Sequence, residues 1–453
     1  MDYKVTTYGK TNVLYISEPH EISTSIIFLV KFGSQYENIH NIGIAHLLEH
    51  LLFRGTKSRP NEQDIKYIFD KYGAEWNAFT DKHSTGFYVR IIDEHAEEAF
   101  DVLGDILKNS LLRDSDITKE KSIVTEELKK GLDNNYNLAL TVAMSQLFKN
   151  TNLQNNVIGS LDRIANYHPD NIRYYYRKFY EPHNMTICIK GKISPGLRAS
   201  VKKFCFSQLS STKKKFPTSL QSHRYLSSYH NDHARGFKKI ILASMNNNQQ
   251  PILCLRHKKL SQTTILMSWR IMGYYNHEKY LMDIVSRVIG GNSSSRLYTI
   301  LREKNGLVYG VSTDTIYYDK MGIFYIHTTV ENKNVSKVIT LIMEELHNLQ
   351  THGITKQEFK EAISSSRGSL SLELSQSLNI IMYYSNELIY NMKRPDDMVD
   401  VREYFSMLSH DSLDYNNINL IISQYLSPYS MKAVMVGSFN DQSIVTIMKS
   451  FLK

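Results

Sequence analysis

The same order of elements occurs twice along the 453-residue chain, and that doubling limits the fold more than any other feature of the sequence. In the first half, Asn12–Ser17 and Ser25–Gly33 are apolar, β-branched runs that read as strands. Ile42–Phe53 and Asn61–Lys71 follow with helical spacing; in the second of these Ile65, Ile68 and Phe69 share a face. Glu75–Asp81 and Thr85–Ile92 alternate as strands, Glu94–Lys108 returns to helical spacing, and a turn after Tyr180 feeds the strand Met185–Gly191. The second half repeats the order with Thr263–Met272 (strand), Glu278–Ile289 and Ser295–Lys304 (helices), and Leu307–Ile316 and Gly322–Val330 (strands). Two more helices, Val335–Leu349 and Lys356–Ser366, come next. The closing segments also match: Tyr180, Pro182, Met185 and Gly191 are echoed by Tyr425, Pro428, Met431 and Gly437. The expected fold is therefore α+β, with two homologous α/β-sandwich domains at 1–209 and 251–453. Between them lies a Ser/Lys/Asn/Gln-rich linker, 210–250, containing Pro217 and Asn246-Asn247-Asn248.

Composition narrows the function classes. Hydrophobic residues make up 42% and charged residues 22%, the balance of a globular protein. The longest apolar runs, such as Ile26–Val30, fall far short of the ~20 residues of a membrane helix, so no membrane partner is expected. Three cysteines, Cys188, Cys205 and Cys254, have no metal-ligand spacing and are too few to staple the chain. They point to a cytoplasmic or other reducing compartment. Met1-Asp2-Tyr3-Lys4-Val5 lacks the apolar stretch of a signal peptide. The net charge of +9 is spread over the chain, and its densest cluster, Lys213-Lys214-Lys215, sits in a polar stretch rather than on a patterned helix. A nucleic-acid partner is not expected.

The chemistry concentrates in His46-Leu47-Leu48-Glu49-His50. On a helix, positions i and i+4 share a face, so both imidazoles can grip one ion while Glu49 projects beside it. Imidazole nitrogens suit zinc, and a catalytic zinc needs one more protein ligand and a water. With 17 His in 453 residues, chance yields a His-x-x-Glu-His string in such a chain only about 0.03 times. Its order is that of the inverted zinc-peptidase signature. The missing ligand is sought in Asp116–Leu128, a helix with Glu120, Val124 and Glu127 on one face. Glu126 lies about 100° round from Glu127, toward Lys119, Lys129 and Lys130. Helical phase thus leaves Glu120 or Glu127 as the candidate and sets Glu126 aside. In the second half, the helix at Glu278–Val288 carries no His pair, so no second metal is expected. Gly290-Gly291-Asn292-Ser293 lacks the Gly-Lys-Ser/Thr ending of a phosphate loop. His223, His230 and His233 sit in the linker with no further ligands nearby in sequence.

Across nearly its whole length the chain resembles the pitrilysin/insulysin zinc peptidases, which include the mitochondrial processing peptidases. KFGSQYEN and GIAHLLEHLLFRGT are similar to that family's core segment, EKSIVTEEL to its second-glutamate segment, and NAFTDKHSTGFYV to its edge strand. The resemblance implies a LuxS/processing-peptidase-like metallohydrolase fold and one Zn2+ per chain held by His46, His50 and Glu127, with Glu120 orienting a ligand. It further implies that Glu49 is the general base and that Asn77 and Ala78 pair with an extended peptide substrate. Arg302 and Tyr309 match the family's Arg/Tyr pair at a separation of seven and would stabilise the oxyanion. The implied activity is that of a zinc metalloendopeptidase acting on peptides or unfolded segments, as a homodimer or as a heterodimer with a related subunit. The alternative is a catalytically silent structural or partner subunit, although such relatives usually lose motif residues and this chain keeps them. A basic binding protein with an incidental metal site is the third and least favoured class.

Overall fold

A computed structural model describes residues 2–207, 236–243, 250–409 and 412–452. The linker histidines His223, His230 and His233 and the Lys213-Lys214-Lys215 cluster lie outside the described residues. The first sheet is built from β1 (Tyr3–Tyr8), β2 (Thr11–Ser17), β3 (Ser23–Val30), β4 (Glu75–Thr80), β5 (Thr85–Ile92) and β6 (Met185–Gly191). The second is built from β7 (Lys238–Ile241), β8 (Ile252–His257), β9 (Gln262–Met272), β10 (Val308–Tyr317), β11 (Met321–Glu331) and β12 (Lys432–Gly437). Their strand orders are the same, β1-β2-β6-β3-β5-β4 and β7-β8-β12-β9-β11-β10. Each has one parallel pair, β2 with β6 and β8 with β12, and is otherwise antiparallel. The repeat read from the sequence is thus a repeat of topology.

Each sheet is covered on both faces, which is why its central strands are almost wholly apolar. In β3, seven of the eight residues are buried. Phe28 points to one face, its ring 5.1 Å from both Phe100 (tilted) and Phe204 (edge-on), from the helices Ala96–Asn109 and Pro195–Phe206. Ile27 and Leu29 point to the other face and pack with Ile381, Tyr384 and Leu388 of the helix Ser377–Tyr390. In the second sheet, Met267 and Trp269 join one core with the helices Lys279–Gly290 and Val335–His352. Cys254, Leu266 and Val434 join another with Leu138, Val142 and Leu147 of the helix Asn135–Leu147.

The two compact units accordingly interleave in sequence. One comprises Met1–Lys129, Asn155–Tyr229 and Ser371–Val401, and the other Lys130–Gln154, His230–Leu370 and Arg402–Lys453. Strands β1–β6 fall within 1–209 and β8–β12 within 251–453, but each sheet takes one covering helix from the other half of the chain. The stretch 210–250 also holds more than a connection, since β7 pairs with β8 from Lys238↔Leu255 to Ile241↔Ile252. The physical reason is shared. A helix buried on most sides, such as NYNLALTVAMSQL, lacks a clean apolar stripe, and a four-residue edge strand offers too short a pattern to read. The first strand, β1, escapes the sequence reading for the same reason: its residues are half-buried or exposed. Ser295–Lys304, expected as one helix, is a short α-helical turn, Arg296–Tyr298, running into the π-helical turn Thr299–Lys304.

Candidate metal centre

The helix α1 (Ile44–Leu52) is driven inward by Ile44, Leu47, Leu48, Leu51 and Leu52, all fully buried. Its N-terminus is closed from a distance. Glu37 is buried and accepts the backbone N–H groups of Gly43 and Ala45, both at 2.8 Å. A carboxylate there satisfies otherwise orphaned donors and faces the positive end of the helix dipole. Gly43 has φ +88 and lies against Ile158 and Gly159, where a Cβ would come within 2.4 Å of the Ile158 carbonyl oxygen. Only glycine fits this start.

With α1 so fixed, His46 and His50 stand one turn apart, their rings 4.7 Å between centroids. The facing helix α2 (Asp114–Asp133) brings Glu127 to both: its carboxylate oxygens lie 3.7 Å from His46 Nε2 and 3.3 Å from His50 Nε2. One donor atom from each of the three residues falls within 4.8 Å of the others. Donors ~2.0–2.1 Å from a tetrahedral zinc are about 3.3–3.4 Å apart, so two imidazoles and one carboxylate suit that ion in chemistry, with the His50–Glu127 separation at that spacing and the His46–Glu127 separation slightly wider. Behind them, His50 Nδ1–H donates to Glu120 Oε2 at 3.1 Å, and Arg54 forms ion pairs with Glu120 and Glu62. Glu120 is fully buried, whereas Glu126 is on the outer face, paired with Lys129 at 2.7 Å. The phase read from the sequence therefore matches the helix.

Charge around the three donors is strongly perturbed. Burial and the neighbouring His50 push His46 down to about 4, so it is a neutral imidazole at neutral pH. Burial would also lower His50, but hydrogen bonds to Glu120 and Glu127 outweigh it and hold His50 up at about 9. Burial favours the acid form of Glu120 too, yet His50 and Arg54 prevail and depress it. Three carboxyl side chains, Glu49, Glu120 and Glu127, share this corner with Arg54 and with His50, whose raised proton affinity shows that the corner favours a cation. Glu49 is half-buried beside the histidines, with its acidity weakened by burial. Its Oε2 accepts a hydrogen bond from Thr80 Oγ1 at 2.6 Å.

Thr80 ends β4, the last strand of its sheet, which among the described residues pairs only with β5. Asn77 and Ala78 lie on this edge, with Asn77 exposed and its Oδ1 accepting the Ala78 N–H at 2.9 Å. Arg302 and Tyr309 belong to the second unit and meet each other there. The Arg302 guanidinium lies 4.9 Å from the centre of the Tyr309 ring and donates to the Tyr309 carbonyl oxygen at 2.6 Å, while Tyr309 is 88% exposed. Sequence reasoning did not assign Glu37, Arg54 or Thr80. All three stood inside segments already singled out, but only the packing around α1 shows what they touch.

Residues 12–161 match the family model described as insulinase (peptidase family M16), and residues 166–366 the one described as peptidase M16 inactive domain. Among similar sequences are an "uncharacterized zinc protease YmxG" of Bacillus subtilis, 28% identical over 83% of this chain and 85% of that one, and an "uncharacterized zinc protease" of Rickettsia felis, 25% identical over 91% and 92%. Among solved structures, a protease from Helicobacter pylori superposes with a TM-score of 0.80 at 17% identity, covering 96% of this chain and 99% of that one. A chain of Complex III2 from Candida albicans does so at 0.75 and 16% identity, covering 98% and 99%. At these identities the structural likeness speaks for the fold.

Proposed function

The chain belongs to the M16 family of insulinase- and pitrilysin-type peptidases, and from that premise we propose that it is a zinc metalloendopeptidase hydrolysing peptides or unfolded polypeptide segments. The observation that carries the proposal is the convergence of His46, His50 and Glu127 with Glu49 beside them. His46, His50 and Glu127 would hold the ion, one per chain. When bound, zinc supplies a water acidic enough to attack at neutral pH and polarises the scissile carbonyl.

The rest of the chemistry is the chain's own. Glu49 takes the proton of the attacking water and returns it to the departing amine nitrogen, a transfer its burial favours by raising its affinity for the proton. Glu120, itself held by Arg54, fixes the His50 ring and keeps Nε2 presented to Glu127. An extended peptide adds to the open edge of β4 at Asn77 and Ala78, which selects unfolded chains over folded ones. Arg302 and Tyr309 stabilise the oxyanion of the tetrahedral intermediate. We assign the active unit as a homodimer, with a heterodimer containing a related subunit as its variant. The three buried free thiols favour a reducing compartment such as the cytoplasm. Among the described residues no helix is long and apolar enough to cross a membrane.

Glu49→Gln removes the base but no ligand. It is expected to leave zinc content unchanged while hydrolysis of a quenched fluorescent peptide falls by about 10²–10⁴-fold. Activity that survives this change, or survives chelation, overturns the proposal. A second reading, a silent partner subunit, is favoured by the match of residues 166–366 to an inactive domain. A zinc-loaded chain with no hydrolysis alone or mixed with a related subunit would establish that reading.

A further inference from the structure

The hydroxyl that grips Glu49 recurs at the corresponding place in the second unit. Aligning β6 on β12 by their shared closing glycines, Gly191 and Gly437, places Lys190 on Val436, and the ladders carry the match across both sheets. Ser25, opposite Lys190, falls on Thr264, opposite Val436. Arg90 then falls on Thr329, and five residues back along β5 and β11 Thr85 falls on Phe324. Their partners on the edge strands are Thr80 and Thr315. Thr315 Oγ1 donates to Asp283 Oδ1 at 2.7 Å, as Thr80 Oγ1 donates to Glu49 Oε2 at 2.6 Å. Asp283 lies on the helix Lys279–Gly290, where Tyr280, Asp283 and Ile284 have the spacing of His46, Glu49 and His50.

The two clasps differ in what else holds the carboxylate. Tyr317 also donates to Asp283 Oδ1, at 2.6 Å, and the positions of both histidines are taken by Tyr280 and Ile284. There the clasp ties a helix to an edge strand. Glu49 has Thr80 as its one hydrogen-bond donor among the described residues, on Oε2 alone. Thr80 is itself backed by Thr85, whose Oγ1 lies 3.3 Å away and donates to the Phe32 carbonyl oxygen at 2.7 Å.

We infer that Thr80 is a positioning residue for Glu49: it fixes one carboxylate oxygen, leaves the other for the attacking water, and ties the base to the strand on which the peptide is seated. This rests on the reading of Glu49 as the base. A peptide that pairs along β4 stiffens the edge ending at Thr80, so substrate seating and base alignment act through one hydroxyl.

The test compares Thr80→Val, Thr80→Ser and Thr315→Val in the full-length chain, using a quenched fluorescent peptide that the wild-type protein cleaves. Thr80→Val is expected to lower kcat about 10–100-fold, the range for losing an outer hydrogen-bond partner at a metal site, with KM, zinc content and thermal midpoint close to wild type. Thr80→Ser, which keeps the hydroxyl, is expected to restore most of kcat, and Thr315→Val to lower the thermal midpoint while kcat holds. A second readout needs no turnover: in crystals of the metal-free protein, Glu49 should hold one rotamer in wild type and Thr80→Ser and spread over several in Thr80→Val. A wild-type kcat or a single Glu49 rotamer in Thr80→Val overturns the inference, as do an equal kcat loss in Thr315→Val or a failed rescue by serine. If Glu49→Gln stays active, the base reading fails and takes this one with it. If Glu49→Gln is inactive while Thr80→Val is not, the positioning role alone is lost.

Discussion

At the scale of single residues, three glutamates on one helix separate into three jobs according to helical phase. Glu127 faces both imidazoles, Glu120 is buried behind His50, and Glu126 pairs outward with Lys129. Removing a donor should weaken an ion far more than removing the group that orients a donor. Glu127→Gln is therefore expected to strip zinc during purification, Glu120→Gln to weaken it about 10–100-fold, and Glu126→Gln to leave it unchanged, as read by metal analysis and competition with a chromogenic chelator. A chain that loses zinc through Glu126→Gln but not through Glu127→Gln would put the wrong face of the helix toward the histidines. This face was legible in sequence because carboxylates recurring with an apolar residue at spacings of four and three point inward. The Arg54 ion pair that neutralises Glu120 was not, because nothing in a linear pattern says which arginine reaches a helix 66 residues further on.

At the scale of elements, what holds a helix is often supplied from elsewhere. Glu37 closes the start of α1 from six residues before Gly43. In the second unit, Arg296 is bound through Nε and Nη2 by the two oxygens of Glu358 at 2.6 and 2.8 Å, and through Nη1 by Glu345 at 2.9 Å. The Arg296 contacts, joined by hydrogen bonds from Thr355, hold Glu358 down at about 2 against burial. Because its folded pKa lies below the ordinary carboxylate value, the stability it contributes is present above about pH 4.5 and is lost as pH falls toward 2. Glu358→Gln should lower unfolding free energy by about 1–3 kcal/mol at neutral pH, and the gap from wild type should narrow at about pH 3, measured by urea titration. A gap that stays constant with pH would mean that the glutamine disrupts packing rather than the ion pair.

At the scale of the whole molecule, the proposed homodimer gives a direct test of how the catalytic groups are assembled. His46, Glu49, His50 and Glu127 belong to one unit and Arg302 and Tyr309 to the other. If each site draws its Arg/Tyr pair from the second chain, mixing Glu49→Gln chains with Tyr309→Phe chains should return about a quarter of wild-type activity, since half the dimers are mixed and one of their two sites is intact. No recovery despite demonstrated subunit exchange, or full activity in a strictly monomeric preparation, would assign the pair to the same chain or to no role. The sequence by itself determined the doubled α+β topology, because strands and amphipathic helices announce themselves through local periodicity, and it determined that His46 and His50 stand on one face, because one helical turn separates them. Only the tertiary structure decided that the helices Asn135–Leu147 and Ser377–Tyr390 each cover a sheet built from the other half of the chain, and that Thr80 grips Glu49. Such contacts join residues far apart in sequence, and they are fixed by which apolar face needs covering and which buried polar atom needs a partner, neither of which leaves a local mark on the chain.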